Sequence, residues 1–195
     1  MSGKIIQTPV LLKILQQSVL ELLGEEESDR LFQQTGLSSL DKQGILFILE
    51  ALGDAFAQRF DSQTARGLLI RAGRASLIFL RRFEEGIADL GATDNRLKPV
   101  VQRFLYSLKE LARLFSRPCD MVVNVDLIGQ QAFDWHMQVD APEEMKMDFA
   151  PYFFFGLLQE FCEWLDARKN YQLVYTSASG QVTGETILIE IRDPD

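Results

Sequence analysis

One histidine and two cysteines are all that this chain of 195 residues offers as imidazole or thiolate metal ligands. A single histidine cannot build an HExxH motif or a two-histidine centre. Cys119 and Cys162 stand far apart, without the close spacing of a zinc site or a secreted disulfide scaffold, and they fit a reducing cytoplasm. Basic residues are outnumbered, 20 Lys and Arg against 28 Asp and Glu, for a formal net charge of −8. A general binder of phosphate backbones needs the opposite balance, so nucleic acid is not an expected partner. No run reaches the ~18 consecutive apolar residues that would span a bilayer. The opening MSGKIIQTPVLLKILQQSVLELLGEEE is broken by Gln and Ser at helical spacing and does not read as a signal peptide. Phosphate-cradling GxGxxG and P-loop patterns and the GxSxG of hydrolases are also missing. These absences point away from catalysis, from a bound metal and from any cofactor.

What the chain has in quantity is apolar surface: 47% hydrophobic residues against 25% charged, the balance of an ordinary globular protein. One domain over 1–195 is expected, with residues 1–40 as a helical N-terminal extension. The first helix places Leu11, Ile14, Leu15, Val19, Leu22 and Leu23 on one stripe, and Gly24 ends it. A short polar helix over Glu25 to Gln34 follows, then Gly36, then a pattern of Ile45, Ile48, Leu49, Leu52, Phe56 and Phe60 behind a cap candidate, Asp41. The longest helix runs from Asp61 to Leu90 with Leu69, Ala72, Gly73, Ser76, Phe79, Leu80, Phe83, Ile87 and Leu90 facing one way. After the GATDN turn, Leu97, Val101, Phe104, Leu105, Leu108, Leu111, Ala112 and Phe115 continue the helical period as far as Pro118.

The period then changes to two. Met121, Val123, Val125 and Leu127 alternate with polar neighbours, Gly129 marks a turn, and Phe133, Trp135, Met137 and Val139 share one face of a second strand. A helix from Pro151 to Arg168 carries Phe154, Leu157, Leu158, Phe161 and Leu165 inward, with Asn170 to close it. Strands over Tyr171 to Ser177 and Val182 to Arg192 end the pattern. The fold class is therefore α+β: N-terminal helices, then hairpin, helix and hairpin, giving a small antiparallel sheet packed against helices.

His136 is a general base or haem ligand only if it leaves the polar face of its strand, where a surface residue is the ordinary outcome. Cys162 follows Phe161 on a core helix and packs; Cys119, at a helix-to-strand junction, is the better candidate for a reactive thiol. The runs Glu25–Glu27 and Glu143–Glu144 read as solvated faces. Arg66, Arg71, Arg74, Arg81 and Arg82 make one helix unusually basic, either as an ordinary polar face or to meet an acidic partner. Gly73 costs helix propensity and, beside Ala72 and Ser76, marks a close contact. Three consecutive phenylalanines, Phe153 to Phe155, cannot all face one core, so at least one meets a pocket, an interface or the sheet edge.

From about residue 42 to 192 the arrangement resembles the 4-vinyl reductase family, whose fold is shared with the TRAPP vesicle-tethering subunits and the haem nitric-oxide-binding domains. The resemblance is carried by RAGRAS within a long helix, by FFFGLLQEFCEWL and by YQLVYTSASGQVTGETILIEI. It implies binding more than chemistry, since such domains serve as hydrocarbon-binding sensors, accessory proteins of bacteriochlorophyll synthesis and dimeric scaffolds. The closing hairpin lacks the cysteines that many 4-vinyl reductase-like domains carry. Haem-binding relatives use a helical histidine and a Tyr-x-Ser-x-Arg motif, against which this chain offers His136 on a strand and the string Tyr175 to Ser179.

The leading expectation is a non-catalytic, cytoplasmic sensory or regulatory domain that binds an apolar small molecule in a pocket between helices and sheet. Phe79, Phe83, Phe104, Trp135, Phe154 and Phe161 are the candidate lining. The alternative is a TRAPP-like dimeric scaffold without exchangeable ligand; a tetrapyrrole vinyl reductase role ranks third, for want of any means of holding a reductant. A homodimer is expected, because the stripe of Leu11, Ile14, Leu15 and Val19 has few neighbours in sequence to cover it.

Overall fold

Helical periodicity governs the first part of the chain and strand periodicity the second, and the elements divide accordingly. The computed structural model describes residues 8–35, 44–83, 97–116, 121–139, 147–177 and 184–192. Its helices are α1 (Thr8–Leu23), α2 (Glu25–Gln34), α3 (Ile45–Arg59), α4 (Ser62–Phe83), α5 (Val100–Ser116) and α6 (Ala150–Leu165). The strands are β1 (Met121–Ile128), β2 (Ala132–Val139), β3 (Asn170–Ser177) and β4 (Glu185–Arg192). The expected α+β class is borne out, and no described helix is long and apolar enough to cross a membrane.

The sheet is antiparallel throughout in the order β1-β2-β4-β3, so the two hairpins meet through β2 and β4. Register fixes which side chains face the helices, because each row across a sheet shares one face. One inward row reads Val125, Trp135, Ile187 and Tyr175, and the outward row beside it reads Asn124, His136, Thr186 and Thr176. Among the described residues, helices cover the inward face, α5 against β1 and α6 against β3 and β4. α4 packs over α6, with α1 and α3 on its flanks, so α6 lies between the sheet and the helical layer.

The α4–α6 seam explains the small residues. A Cβ built on Gly73 would overlap the carbonyl oxygen of Phe153 and stand 2.8 Å from the Leu157 nitrogen. A Cβ on Gly156 would overlap the carbonyl oxygen of Ile70 and stand 2.7 Å from its carbon. Three arginines of α4 bind α6 along the same seam: Arg66 over the Tyr152 ring at 5.1 Å, Arg74 Nε on Glu160 at 3.3 Å, and Arg81 over the Trp164 ring at 4.8 Å. Arg66, Arg74 and Arg81 of this exposed basic stretch therefore also brace the neighbouring helix, a pattern its sequence spacing could not reveal.

On the other flank, Ser18 of α1 meets Ser76 of α4, Oγ to Oγ at 2.8 Å, with both fully buried. Each Oγ also lies 2.7–2.8 Å from a carbonyl of its own helix, Ile14 and Ala72. Two hydroxyl protons serve three contacts, so one of the three goes without a proton at any instant. The α1 stripe expected to form a dimer contact is covered here: Leu11, Ile14, Leu15 and Val19 are no more than 2% exposed. That surface is spent within the chain, because α4, distant in sequence, lies over it.

Glu50 of α3 joins the two halves. Its carboxylate accepts the backbone N–H groups of Asp148 (3.1 Å), Phe149 (3.1 Å) and Ala150 (2.7 Å), capping a helix whose own N-cap, Phe149, supplies no side-chain acceptor. Burial nevertheless holds the Glu50 carboxyl above its usual value. Beside it, a Cβ on Gly53 would stand 2.7 Å from Phe149 Cδ2.

Local expectations fail where proline or a chain end intervenes. Leu97 is 82% exposed, because Lys98 precedes Pro99 and the helix cannot begin before Val100. Phe60 follows the end of α3 and is largely exposed, and Leu127 is exposed near the hairpin turn. Asn170 does not close α6; Asp166 does, with extended backbone, and Asn170 opens β3. Ile87, Leu90, the GATDN turn, Gly36, Asp41 and Glu143–Glu144 lie outside the described residues.

Candidate functional site

The aromatic residues expected to line a pocket are brought together, but against one another. Phe104, Trp135, Phe154 and Phe161 are all 0% exposed. Phe104 stacks on Phe133 at 6.4 Å, Phe115 meets Phe154 edge-on at 5.4 Å, and Phe161 lies 5.7 Å from Trp164. Phe79 is half-buried under Arg82, two residues before the Arg81 that stacks on Trp164. Phe83 closes α4, and its side chain and the whole of Cys119 lie outside the described residues. Of the phenylalanine run, Phe153 and Phe154 are buried, with the Phe154 ring against Phe115 of α5 and the Phe153 backbone against Gly73 of α4, while Phe155 remains half-buried.

One interior group is unsatisfied in this aromatic layer: the Trp135 indole N–H is buried without an acceptor. The second such group is Arg103 Nε, and its surroundings are polar. Arg103 projects from α5 and is 5% exposed. Its Nη2 donates to Asp166 Oδ2 at 2.6 Å, an ion pair buried on both sides. Asp166 also accepts Arg168 N (3.2 Å) and Nε (2.9 Å) on Oδ1, and Arg168 Nη2 (3.1 Å) on Oδ2. A carboxylate has about four acceptor sites, and these four donors fill them. Arg168, foremost, and Arg103 together hold the Asp166 carboxyl well below the usual carboxylate range, against the opposing effect of burial. The Tyr171 hydroxyl donates to the Asp166 carbonyl oxygen, and its ring lies 5.4 Å from Phe104. Burial raises that phenol above its ordinary value.

Beside this network opens a cleft of about 430 Å³ lined by Arg103, Trp164, Leu165, Asp166, Ala167 and Arg168. Arg81, stacked on Trp164, stands next to it. Local sequence pattern does not reveal this group, because Arg103 and Asp166 are 63 residues apart. A signal existed all the same: Arg103 and Ser107 fall at three- and four-residue spacing between Val100 and Leu111, on the inner side of α5.

The remaining reactive side chains are occupied or sealed. His136 alternates with the buried Trp135 and Met137, and its Nδ1 lies 2.9 Å from Thr186 Oγ1. Cys162 is 0% exposed, and burial pushes its thiol well above the ordinary range. Among the described residues, no group of three or more His, Cys, Asp or Glu is placed to hold a metal ion.

Helices on one face of a four-stranded antiparallel sheet, with a helix between the hairpins, define the fold class. Solved structures place it further: the chain has the fold of H-NOX domains. An H-NOX protein from S. oneidensis aligns with a TM-score of 0.63 at 12% identity, covering 97% of this chain and 98% of that one. An H-NOX from T. Tengcongensis aligns at 0.62 and 9% identity, covering 97% and 99%. An oxygen binding H-NOX domain related to soluble guanylate cyclases aligns at 0.60 and 10% identity, covering 97% and 96%. No family model and no curated protein sequence matches the chain.

One further structure of this fold is described in terms of haem redox potential and porphyrin distortion. Among the described residues, haem does not fit the interior. The sole histidine lies on the sheet face turned away from the helices and is bonded to Thr186, and the space between α5, α6 and the sheet is filled by Phe104, Phe115, Phe133, Trp135 and Phe154.

Proposed function

We propose that this chain is a non-catalytic small-molecule-binding domain, sensory or regulatory in role, whose ligand enters the cleft around Arg103. The observation that carries the reading is the buried Arg103 Nε with no acceptor, beside a carboxylate already saturated. A buried donor without a partner costs about 1–3 kcal/mol, more when charged, and a bound acceptor removes that penalty. The shared fold with an oxygen binding H-NOX domain favours binding over catalysis as the role. An apolar ligand between helices and sheet, the earlier expectation, would have to displace Phe104, Trp135, Phe154 and Phe161 from one another. A TRAPP-like homodimeric scaffold without exchangeable ligand is the second reading, favoured by that same filled interior. Native mass spectrometry of freshly purified protein separates the two. A bound small molecule that is lost in Arg103→Lys supports the first; a ligand-free dimer sinks it.

A further inference from the structure

We infer that the Arg103 cleft takes a small organic oxyanion, a carboxylate or a phosphate monoester, held by the guanidinium groups of Arg103 and Arg168 with its apolar part against Trp164 and Leu165. This rests on the reading that the cleft is a ligand site, and adds the chemical class of the ligand. Charge is the first argument. Two guanidinium groups converge on one carboxylate, leaving a positive excess in a protein whose net charge is −8. Arg81 on Trp164 adds a third positive group nearby, while the neighbouring acids Glu160 and Glu163 are turned to Arg74 on the α4–α6 seam.

Hydrogen bonding is the second. Asp166 has no acceptor site left for Arg103 Nε, so the acceptor must come from outside the network. The Arg168 side chain is 83% exposed, so a ligand reaches it without rearranging the core. A guanidinium group gives planar, paired donors, which suit the two oxygens of a carboxylate or the face of a phosphate better than a lone carbonyl. Trp164, partly buried beside Leu165, supplies apolar surface at the same opening, so a bare inorganic ion would leave half the cleft unused.

The chain has two tryptophans, and Trp135 is fully buried in the sheet core, so Trp164 is the one whose fluorescence a ligand in the cleft would change. The full chain is titrated with benzoate, phenyl phosphate and the neutral isostere benzamide, following tryptophan emission. One or both anions should produce a saturable change that Trp164→Phe removes, weakened about tenfold or more by Arg168→Ala, the usual effect of losing a charge-assisted hydrogen bond. Arg168→Ala also takes two donors from the buried Asp166, so its denaturation midpoint is read beside its affinity; Arg103→Lys keeps the charge but removes the Nε donor, and should weaken the anions similarly. Which anion binds better distinguishes a carboxylate from a phosphate ligand. Benzamide binding as tightly as benzoate, with the same dependence on Arg168, would overturn the oxyanion class and leave the ligand site standing. No response to any probe, together with no molecule carried through purification, would overturn both.

Discussion

Gly73 and Gly156 form a reciprocal contact: Gly73 sits where the α6 backbone at Phe153 passes, and Gly156 sits where the α4 backbone at Ile70 passes. Each lacks a side chain because the other helix's carbonyl oxygen occupies the place. Alanine normally stabilises a helix by ~1 kcal/mol over glycine, but here the added methyl must push two helices apart. Gly73→Ala and Gly156→Ala should each destabilise the protein by ~1–3 kcal/mol, and Gly73→Leu by more. Gly67, on the same helix with nothing within 4 Å of its Cβ position, is the control, and Gly67→Ala should stabilise. Urea midpoints of the four variants decide it; Gly73→Ala matching Gly67→Ala would mean that the seam is loose.

The Arg103–Asp166 pair should make stability depend on acid. Its carboxyl is depressed in the folded state, whereas an unfolded Asp titrates at ~3.9. The contribution is therefore whole above that value and is lost as pH falls below it toward the folded value. Asp166→Asn should be less stable than the parent at pH 7, and the gap between their denaturation midpoints should begin to close below about pH 4. A gap independent of pH would remove Asp166 as the group responsible. Arg103→Met, which strands the buried carboxylate with Arg168 alone, should cost ~3–5 kcal/mol at pH 7.

Cys162 should resist alkylation in the folded protein at pH 8, since its thiol is buried and protonated, and should react once urea unfolds the chain. Peptide mapping after a short iodoacetamide pulse reads Cys119 in the same experiment, where reaction in the folded state is expected. Labelling of Cys162 at the rate of a free thiol would show that α6 opens readily.

Glu50→Ala removes the acceptor of three amides at the start of α6, those of Asp148, Phe149 and Ala150, and should destabilise by ~1–3 kcal/mol. Hydrogen exchange localises the effect, since the amides of Phe149 and Ala150 should exchange faster while those of β2 keep their protection relative to global stability. Unchanged exchange at both would mean that the cap is dispensable.

Most of the fold was legible in the sequence because its signals are local. The change of period at Met121 and the amphipathic stripes of α3, α5 and α6 need no knowledge of what lies opposite. The polar helix Glu25–Gln34 was read to its ends, since Gly24 at φ 80 stops α1. What local pattern cannot supply is the partner. Leu11 and Ile14 looked uncovered because α4 lies dozens of residues away, and the arginines of α4 looked free because Tyr152, Glu160 and Trp164 come later still. Phe104, Trp135, Phe154 and Phe161 are buried, yet composition cannot tell a lined cavity from a filled one. Arg103 escaped notice for the same reason as Asp166: neither means anything without the other.

The clamp from Glu50 to the start of α6 closes a loop of about 100 residues, and so it sets an order of assembly. During synthesis α3 emerges long before the amides it must receive, and the later hairpin–helix–hairpin unit has no cap of its own to begin with. The first half thus acts as a template on which the second half is finished, and the second half, expressed alone, should collapse without locking its last helix in place. Folding should accordingly be slow for a protein this rich in helix, limited by one long-range closure and not by helix formation itself.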